Sequence, residues 1–593
     1  MERSTAILLA LAAFLVGLLF VGLRARRRTR DSDGYYLGGR TLGPWVAALA
    51  ANASSSSAWS IVGVSGFAYS YGLTALWLLP GCLGGFVINW FLVAPRLRGE
   101  TGAAITLTDY LAGPPGAPGR RAIAWFASLL TLASLLTYVA AQMQAAGGAF
   151  AHAFTTDPRL GILIGAAVTV AYTLLGGYLA ASVTDTLQGL LMVLVAVLLP
   201  VAAVWQAGGF AAFADDVAAV ADPAFASLTG GQPGAAGAAF ALGLVGIGLG
   251  YPGQPHAVNK FMGMAPTASM TVARTVGLSW AVLLYTGMIV LGWAVRANWS
   301  VAHHEDAIYE ASKQLLPSVV DGVVLASGLA AIMSTVDSQL LVCASSVTHD
   351  LGLAKRFPAR MLGSARGTVL LIGSGALVAA IVLPKNVFDN VLFAWAALGS
   401  AFGPLLLVRL WRGPVAPGWA LASMVVGGAA AVVGFYLPVL AGGFADRVLS
   451  WLLALATALA GSRRSAAPAD TTRTAHACQL PRLRPTPHRT PRDRRGRAIA
   501  RERVARHRPE GRRVRAARRR LQGGAPRGRA QLVHGRTAPR VRRARSPPRR
   551  RGDHDADDLL RDGQRDRARR GAAGAGRRRP GDHEPRPGGR PGR

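Results

Sequence analysis

Cysteine and charge are scarce in this 593-residue chain. The three cysteines, Cys82, Cys343 and Cys478, lie far apart in sequence, and no CxxC pair or His/Cys cluster accompanies them, which argues against a metal site. Only 16% of the residues are charged, whereas 51% are hydrophobic. Long apolar runs with so little charge are typical of a polytopic membrane protein rather than of a soluble domain.

The few charges are unevenly placed along the chain. Residues 462–593 hold 41 Arg, no Lys and no aromatic residue, and they contribute +29 of the net charge of +35. This Arg/Pro/Gly-rich segment has too few apolar residues to bury a core, so we expect a disordered tail after a transmembrane domain at residues 1–461. Its composition favours an out-of-frame reading of GC-rich DNA over a genuine tail or a nucleic-acid-binding module, because bases would find no aromatic side chain to stack on. We therefore expect no nucleic-acid partner.

Thirteen apolar segments are long enough to span a bilayer as helices, at roughly 20 residues per crossing. The first, near residues 5–23, is too long for a signal peptide and lacks a convincing cleavage site, so we interpret it as a retained helix. The others lie near residues 44–70, 74–95, 121–150, 160–180, 184–205, 236–258, 275–296, 321–348, 367–384, 388–409, 418–440 and 446–461. The prediction is an all-α membrane protein of about thirteen transmembrane helices.

Loop charges predict the orientation of these helices, because cytoplasmic loops are enriched in Lys and Arg. Basic residues follow the odd-numbered segments, among them Arg24, Arg96, Lys260, Lys355 and Arg409. The loop 206–235, on the even side, contains three Asp and no basic residue. This alternation predicts an external N-terminus and a cytoplasmic C-terminus.

Four consecutive serines, at residues 54–57, interrupt the second apolar segment. Hydrocarbon cannot satisfy free hydroxyls or unwound backbone, so such a stretch must face protein or a polar cavity. Small residues that allow close helix packing are the alternative, but four adjacent serines point around the whole helix and cannot serve one face. We interpret residues 53–57 as a local break in the helix, with free carbonyl groups suited to a cation.

The seventh segment contains a second predicted break. Residues 243–256 include five Gly and two Pro, and these residues relax the limits on φ and remove backbone donors. A flexible loop outside the membrane is the alternative, although the apolar run that enters this stretch argues against it. Because the two breaks lie five helices apart, they predict a five-plus-five inverted repeat with the binding site at the repeat interface.

Polar residues also occur in the sixth and ninth segments. Ser334, Thr335, Asp337 and Ser338 are spaced so that their oxygens lie over one side of a helix, and such oxygens are suited to Na⁺. Back-bonding of Ser and Thr to carbonyls at i−4 is the alternative, but it leaves an intramembrane Asp337 unexplained. Asp185, near the predicted start of the sixth segment, is either a plain N-cap or a cation ligand or relay next to Asp337.

Seven motifs in this order resemble the solute:sodium symporter family, and most closely its sodium/proline symporter branch. They are YYLGGRTLGPW from Tyr35, LAANASSSSAW from Leu49, NWFLVAPRLR from Asn89, TLTDYL from Thr106, GGYLAASVTDTLQ from Gly176, GLGYPGQPH from Gly248 and MSTVDSQLLVCASSVTHDL from Met333. The resemblance covers residues 1–461 and implies a LeuT-like fold with one leading helix and two extra helices at the end.

The resemblance also implies two cation sites. The ligands of a main Na⁺ site between the second and ninth helices would be backbone oxygens of Ala53, Ser56 and Ala331 and hydroxyls of Ser334 and Thr335. A second Na⁺ site, found in some relatives, would use Asp185, Asp337 and Ser338. No other cofactor is implied.

The substrate pocket that the proline branch implies would involve Ser57, Tyr138, Ile247, Tyr251 and Pro255. The sequence departs from this branch at two positions. The branch carries Asp at the position of Ser55, where it supports Na⁺ coupling, and Trp at the position of Ile247, where it lines the pocket. Because an aliphatic side chain replaces the indole, we expect weak proline uptake and a preference for a different small solute.

These features predict a secondary transporter, not an enzyme, in a bacterial inner membrane. It would couple Na⁺ to uptake of a small organic solute, proline or another amino acid, by alternating access, with the solute and the lipid bilayer as its partners. One alternative is the membrane sensor module of a histidine kinase, although the tail contains no H-box, N-box or glycine-rich ATP motif. Another alternative is a nucleic-acid-binding membrane protein, and only the basic tail supports that hypothesis. The sequence does not define the oligomeric state.

Overall fold

Helices lie in each apolar segment that the sequence predicts, within the part of the chain that the structure describes. The computed structural model describes residues 3–26, 37–100, 104–154, 156–175, 177–353, 364–383, 387–437 and 443–462. The α-helices are α1 (Arg3–Arg26), α2 (Pro44–Ser55), α3 (Val64–Tyr71), α4 (Leu78–Val87), α5 (Ala94–Glu100), α6 (Leu107–Ala112), α7 (Arg120–Phe154), α8 (Pro158–Leu175), α9 (Tyr178–Gln206), α10 (Phe210–Ala218), α11 (Gly234–Gly246), α12 (Pro255–Met262), α13 (Met270–Asn298), α14 (Ala307–Leu315), α15 (Ser318–Ser345), α16 (Ala365–Val382), α17 (Val387–Arg412), α18 (Pro417–Tyr436) and α19 (Ser450–Ala460). The all-α prediction is confirmed, and the predicted tail lies outside the described residues from residue 463 onward.

Ten helices of the described part are long and apolar enough to cross a membrane. The count is lower than thirteen because α8 and α19 are shorter and because residues Trp59–Arg98 form one apolar stretch of 40 residues. That stretch bends at Gly72, whose φ is +51° and whose added Cβ would lie 2.0 Å from the Phe225 carbonyl oxygen. Only glycine allows this conformation and this approach. Thirteen crossings therefore remain a prediction.

The two broken segments lie at the centre of the bundle. α2 packs against α9, α13, α12 and α15, while the 3₁₀ turn Ile247–Gly253 joins α11 to α12 and packs against α17 and α4. A Cβ on Gly250 would lie 2.2 Å from the Trp395 indole nitrogen, and one on Gly399 would lie 2.5 Å from the Cα of Gly250. Glycine at these positions lets the turn touch α17 directly, so the second break is a packed element and the flexible-loop alternative is wrong.

Candidate functional site

The first break interrupts the second apolar segment at the predicted serines. α2 ends at Ser55, and Ser56 has an extended backbone with φ −117° and ψ 91°. The segment then continues as a π-helical turn at Trp59–Gly63. The amide of Ala58 donates to Gln142 Oε1 at 3.0 Å, and the amide of Trp59 donates to Ser57 Oγ at 3.1 Å. Side chains thus satisfy the donors that the break exposes, and the predicted break is confirmed.

Oxygen atoms from α2 and α15 meet beside this break. Ser334 Oγ lies 3.1 Å from the Ala53 carbonyl oxygen and 3.2 Å from the Ala331 carbonyl oxygen. The hydroxyls of Ser56 and Thr335 are fully buried and have no hydrogen-bond partner among the described residues. Back-bonding within the helix accounts for neither hydroxyl. Because buried polar atoms are normally paired, the Thr335 hydroxyl fits a bound cation.

A second polar cluster joins four helices next to this contact. Ser54 Oγ of α2 donates to Asp185 Oδ2 of α9 at 3.1 Å and lies 3.1 Å from Ser338 Oγ of α15. Ser338 Oγ is also 3.5 Å from Asp185 Oδ2. The Lys260 ammonium of α12 donates to the same carboxylate oxygen at 2.8 Å, and both charged side chains are almost completely buried. The structure therefore unites Asp185 and Ser338 and adds Lys260 to them.

Two sequence-based interpretations are wrong at this cluster. Asp185 is not an N-cap, because α9 begins at Tyr178 after the cap residue Gly177 and Asp185 lies in its third turn. Lys260 is not a loop charge that reports orientation, because it lies in α12 with 1% of its surface exposed. Sequence reasoning missed this buried pair, because Lys260 follows the predicted seventh segment, 236–258, and the stretch around it, PHAVNKFM, contains Pro, His and Asn.

Asp337, next to Ser338 on α15, is the remaining acid at this contact. Its surface is 1% exposed, and neither carboxylate oxygen has a hydrogen-bond partner among the described residues. It lines a small cavity shared with Gly22 of α1, Tyr172 of α8 and Ala181 of α9. A buried carboxylate without a partner needs a cation or a proton.

The implied substrate residues form two groups. Tyr138 of α7 donates to Ser57 Oγ at 3.2 Å, and its ring meets the ring of His256, which follows Pro255, edge to face at 6.1 Å. The hydroxyl of Tyr251, in the second break, lies 2.9 Å from that of Tyr285. Both groups therefore border the two breaks.

Ile247 occupies the start of the second break with 1% of its surface exposed. Its carbonyl oxygen accepts a hydrogen bond of 3.0 Å from the Trp395 indole, and the same indole packs edge to face on Tyr251 at 4.8 Å. Sequence reasoning missed Trp395, because nothing in α17 indicates which break it touches. An indole therefore lies against Ile247 and Tyr251, although it comes from α17 and not from position 247 itself.

Two buried glutamines were also missed. Gln142 accepts from the Ala58 amide, while its own Nε2 has no partner within the described part of the chain. Gln254 donates to the carbonyl oxygens of Gly250 and Trp395, at 3.2 and 3.0 Å. These side-chain amides form hydrogen bonds with the backbone at the two helix breaks. Their presence inside apolar segments was the sequence signal that could have indicated a buried polar role.

Outside the membrane-spanning segments, Asp109 of α6 anchors a loop. Burial raises the pKa of this carboxyl, but hydrogen bonds from His349, Arg120 and the Ile105 amide outweigh it and bring the pKa to about 2. Asp109 therefore stays ionised at physiological pH. It ties the start of α7 to the π-helical end of α15, at Ser346–Asp350.

The chain is similar to known proteins over most of its length. Residues 35–427 match the family model described as the sodium:solute symporter family. The chain is 35% identical over 449 residues to the osmoregulated proline transporter OpuE of Bacillus subtilis (strain 168), and the match covers 72% of this chain and 89% of that protein. It is 32% identical over 451 residues to the sodium/proline symporter of Escherichia coli (strain K12), with 73% and 88% covered.

The structure also resembles a Na⁺-coupled sialic acid symporter solved in a substrate-bound, outward-open state. The TM-score is 0.62 at 17% sequence identity, and the match covers 78% of this chain and 97% of the other. At this identity the likeness shows the fold. The bundle is therefore the LeuT-like architecture that the family resemblance implies.

Proposed function

Because this chain belongs to the sodium:solute symporter family, we propose that it accumulates a small amino acid or a related organic solute. The chain is a Na⁺-coupled symporter embedded in the membrane, and it is not an enzyme. We place it in a bacterial inner membrane, since the relatives are bacterial proteins, with its N-terminus outside. No covalent step is needed, because transport requires only that Na⁺ and the solute stabilise one conformation together.

The proposed main Na⁺ site lies where the break after α2 meets α15. Its ligands are the backbone oxygens of Ala53, Ser56 and Ala331 and the hydroxyls of Ser334 and Thr335. The observation that carries the proposal is the buried hydroxyl of Thr335, which has no hydrogen-bond partner among the described residues and lies beside the Ser334–Ala53 contact. A dehydrated cation would give the Thr335 hydroxyl the partner that it lacks.

The proposed solute pocket adjoins this ion site through the same break. Ser57, Tyr138, Ile247, Tyr251 and Pro255 line it in this proposal. Ser57 directly follows the Na⁺ ligand Ser56, and Tyr138 holds its hydroxyl. An ion that orders residues 53–57 would therefore also order the solute contact, which gives a physical route for coupling.

Uptake by cells that lack their own proline transport tests this function. Radiolabelled proline and a panel of other small amino acids and organic solutes are offered in NaCl and in choline chloride. We expect at least one solute to accumulate only with Na⁺. The proposal fails if no solute on the panel depends on Na⁺ while the protein is present in the membrane.

Ile247 should set the choice of solute. Replacing Ile247 with Trp restores the indole that the proline branch carries, so proline uptake relative to that of the preferred solute should rise roughly tenfold, the scale of one pocket contact. Ile247→Leu is the matched control and should keep the wild-type preference. The ratio of initial uptake rates is measured for each variant. High-affinity proline uptake by the wild type would contradict this role of Ile247.

The tail should be dispensable for transport. We propose that residues 462–593, which carry most of the excess charge, are no part of the transport domain. A stop codon after Gly461 should leave membrane insertion and Na⁺-dependent solute binding intact, and it should remove any salt-sensitive binding to RNA or anionic lipid. If the truncated protein inserts normally but no longer binds solute, the tail belongs to the working protein.

A further inference from the structure

The Lys260 ammonium occupies a site built for a cation. Its Nζ lies 2.8 Å from Asp185 Oδ2 and 3.2 Å from Ser182 Oγ, both on α9, and 5.0 Å from the centre of the Tyr178 ring. The lysine side chain is 2% exposed and Asp185 is 0% exposed. Carboxylate, hydroxyl and aromatic face are the groups that stabilise a positive charge away from water.

The same carboxylate oxygen also receives hydroxyls from the two helices of the proposed main Na⁺ site. Ser54 of α2 and Ser338 of α15 both reach Asp185 Oδ2, at 3.1 and 3.5 Å. The resemblance implied a second Na⁺ at this position, with Asp185 and Ser338 among its ligands. A protein ammonium carries the same unit charge as Na⁺ but stays attached to α12 during transport.

The charges at this contact leave room for one mobile cation. With both carboxyls ionised, Asp185 and Asp337 supply two negative charges and Lys260 supplies one positive charge, all of them buried. Asp337 lies one helical turn after Ser334 and has no hydrogen-bond partner in the described part of the chain. One Na⁺ at the main site would therefore make the contact neutral, whereas two would leave it positive in a medium of low dielectric constant.

We infer that Lys260 serves as a tethered substitute for a second Na⁺, so that this transporter binds one Na⁺ where relatives with a free second site bind two. The inference rests on the proposed main Na⁺ site and assigns its stoichiometry. It predicts that removal of the ammonium opens the second site to Na⁺, with Asp185, Asp337 and Ser338 as ligands.

Counting bound ²²Na⁺ on the purified, full-length protein tests this inference without a solute. The wild type should bind one Na⁺ per chain at saturation. Lys260→Gln should bind two, and Lys260→Arg, which keeps the charge, should bind one. Lys313→Gln makes the same chemical change at an exposed lysine of α14 and should leave the count at one. Asp185→Asn/Lys260→Gln removes the acid as well and should return the count to one.

Two Na⁺ on the wild type would overturn the inference even if no variant could be purified. A single Na⁺ on a folded Lys260→Gln protein would overturn it as well, because the vacated position would then not accept the ion. No bound Na⁺ on any protein would instead contradict the proposed main site. The two failures are therefore distinguishable.

Discussion

Loss of both hydroxyls in Ser334→Ala/Thr335→Ala is expected to raise the Na⁺ concentration for half-maximal solute binding at least about tenfold. Each missing ligand should cost about 1–3 kcal/mol, as for an unsatisfied buried polar group, and 1.4 kcal/mol is a factor of ten. Solute affinity at saturating Na⁺ should change less, because neither hydroxyl belongs to the proposed solute pocket. Solute binding to purified protein, titrated with NaCl at constant ionic strength, measures both quantities.

Ser327→Ala is a suitable control for this double variant. Ser327 lies on the same helix, is fully buried and has no hydrogen-bond partner among the described residues, but it is two turns away from Ser334. Its loss should leave the Na⁺ requirement unchanged. If the double variant keeps the wild-type Na⁺ dependence, then Ser334 and Thr335 are not ligands and the proposed site is wrong.

Replacing Asp185 with Asn is expected to abolish transport and to destabilise the protein. The change leaves the Lys260 ammonium buried without its counter-charge, and breaking such a pair typically costs about 3–5 kcal/mol. Adding Lys260→Gln to Asp185→Asn removes the orphaned charge and should recover most of the lost stability. Thermal unfolding of the purified proteins in detergent, together with uptake in vesicles, separates the two effects.

Asp321→Asn provides the comparison at a more exposed ion pair. Asp321 pairs with Arg3 at 2.7 Å, and the side chains are 14% and 37% exposed. Solvent screens such a pair, so its loss should cost only about 0–1 kcal/mol.

The result that would contradict the Asp185 prediction is normal stability and normal transport in Asp185→Asn. It would show that the Asp185–Lys260 contact matters for neither stability nor transport.

The helix breaks could be predicted from the sequence because their causes are local. Four serines in an apolar run, and glycines with prolines in another, indicate unwound backbone whatever surrounds them. The structure confirms both, with extended backbone at Ser56 and a 3₁₀ turn at Ile247–Gly253. The order of the apolar segments could likewise be predicted without knowledge of how the helices pack.

The partners across these breaks could not be predicted in the same way. Lys260 and Asp185 are 75 residues apart, and only the packing of α12 against its neighbours brings them together. Lys260 follows a Pro-containing break, which resembles a loop, so its charge suggested orientation instead of a buried pair. The indole of Trp395 is a similar case, because its role depends on the contact between α17 and Ile247. The spacing of Ser334, Thr335, Asp337 and Ser338 indicated a polar helix face, whereas the residues of the solute pocket came from the motif resemblance.

Reciprocal binding tests the central claim most directly, namely that Na⁺ and the solute stabilise one state together. Calorimetry on the purified protein gives the affinity for the transported solute with and without Na⁺, and the affinity for Na⁺ with and without the solute. Linkage requires that each ligand strengthen the other by the same factor. We predict equal factors above one for the wild type, and for Ser334→Ala/Thr335→Ala similar factors that are reached only at a Na⁺ concentration at least about tenfold higher. A wild-type solute affinity that is the same in Na⁺ and in choline would contradict the account.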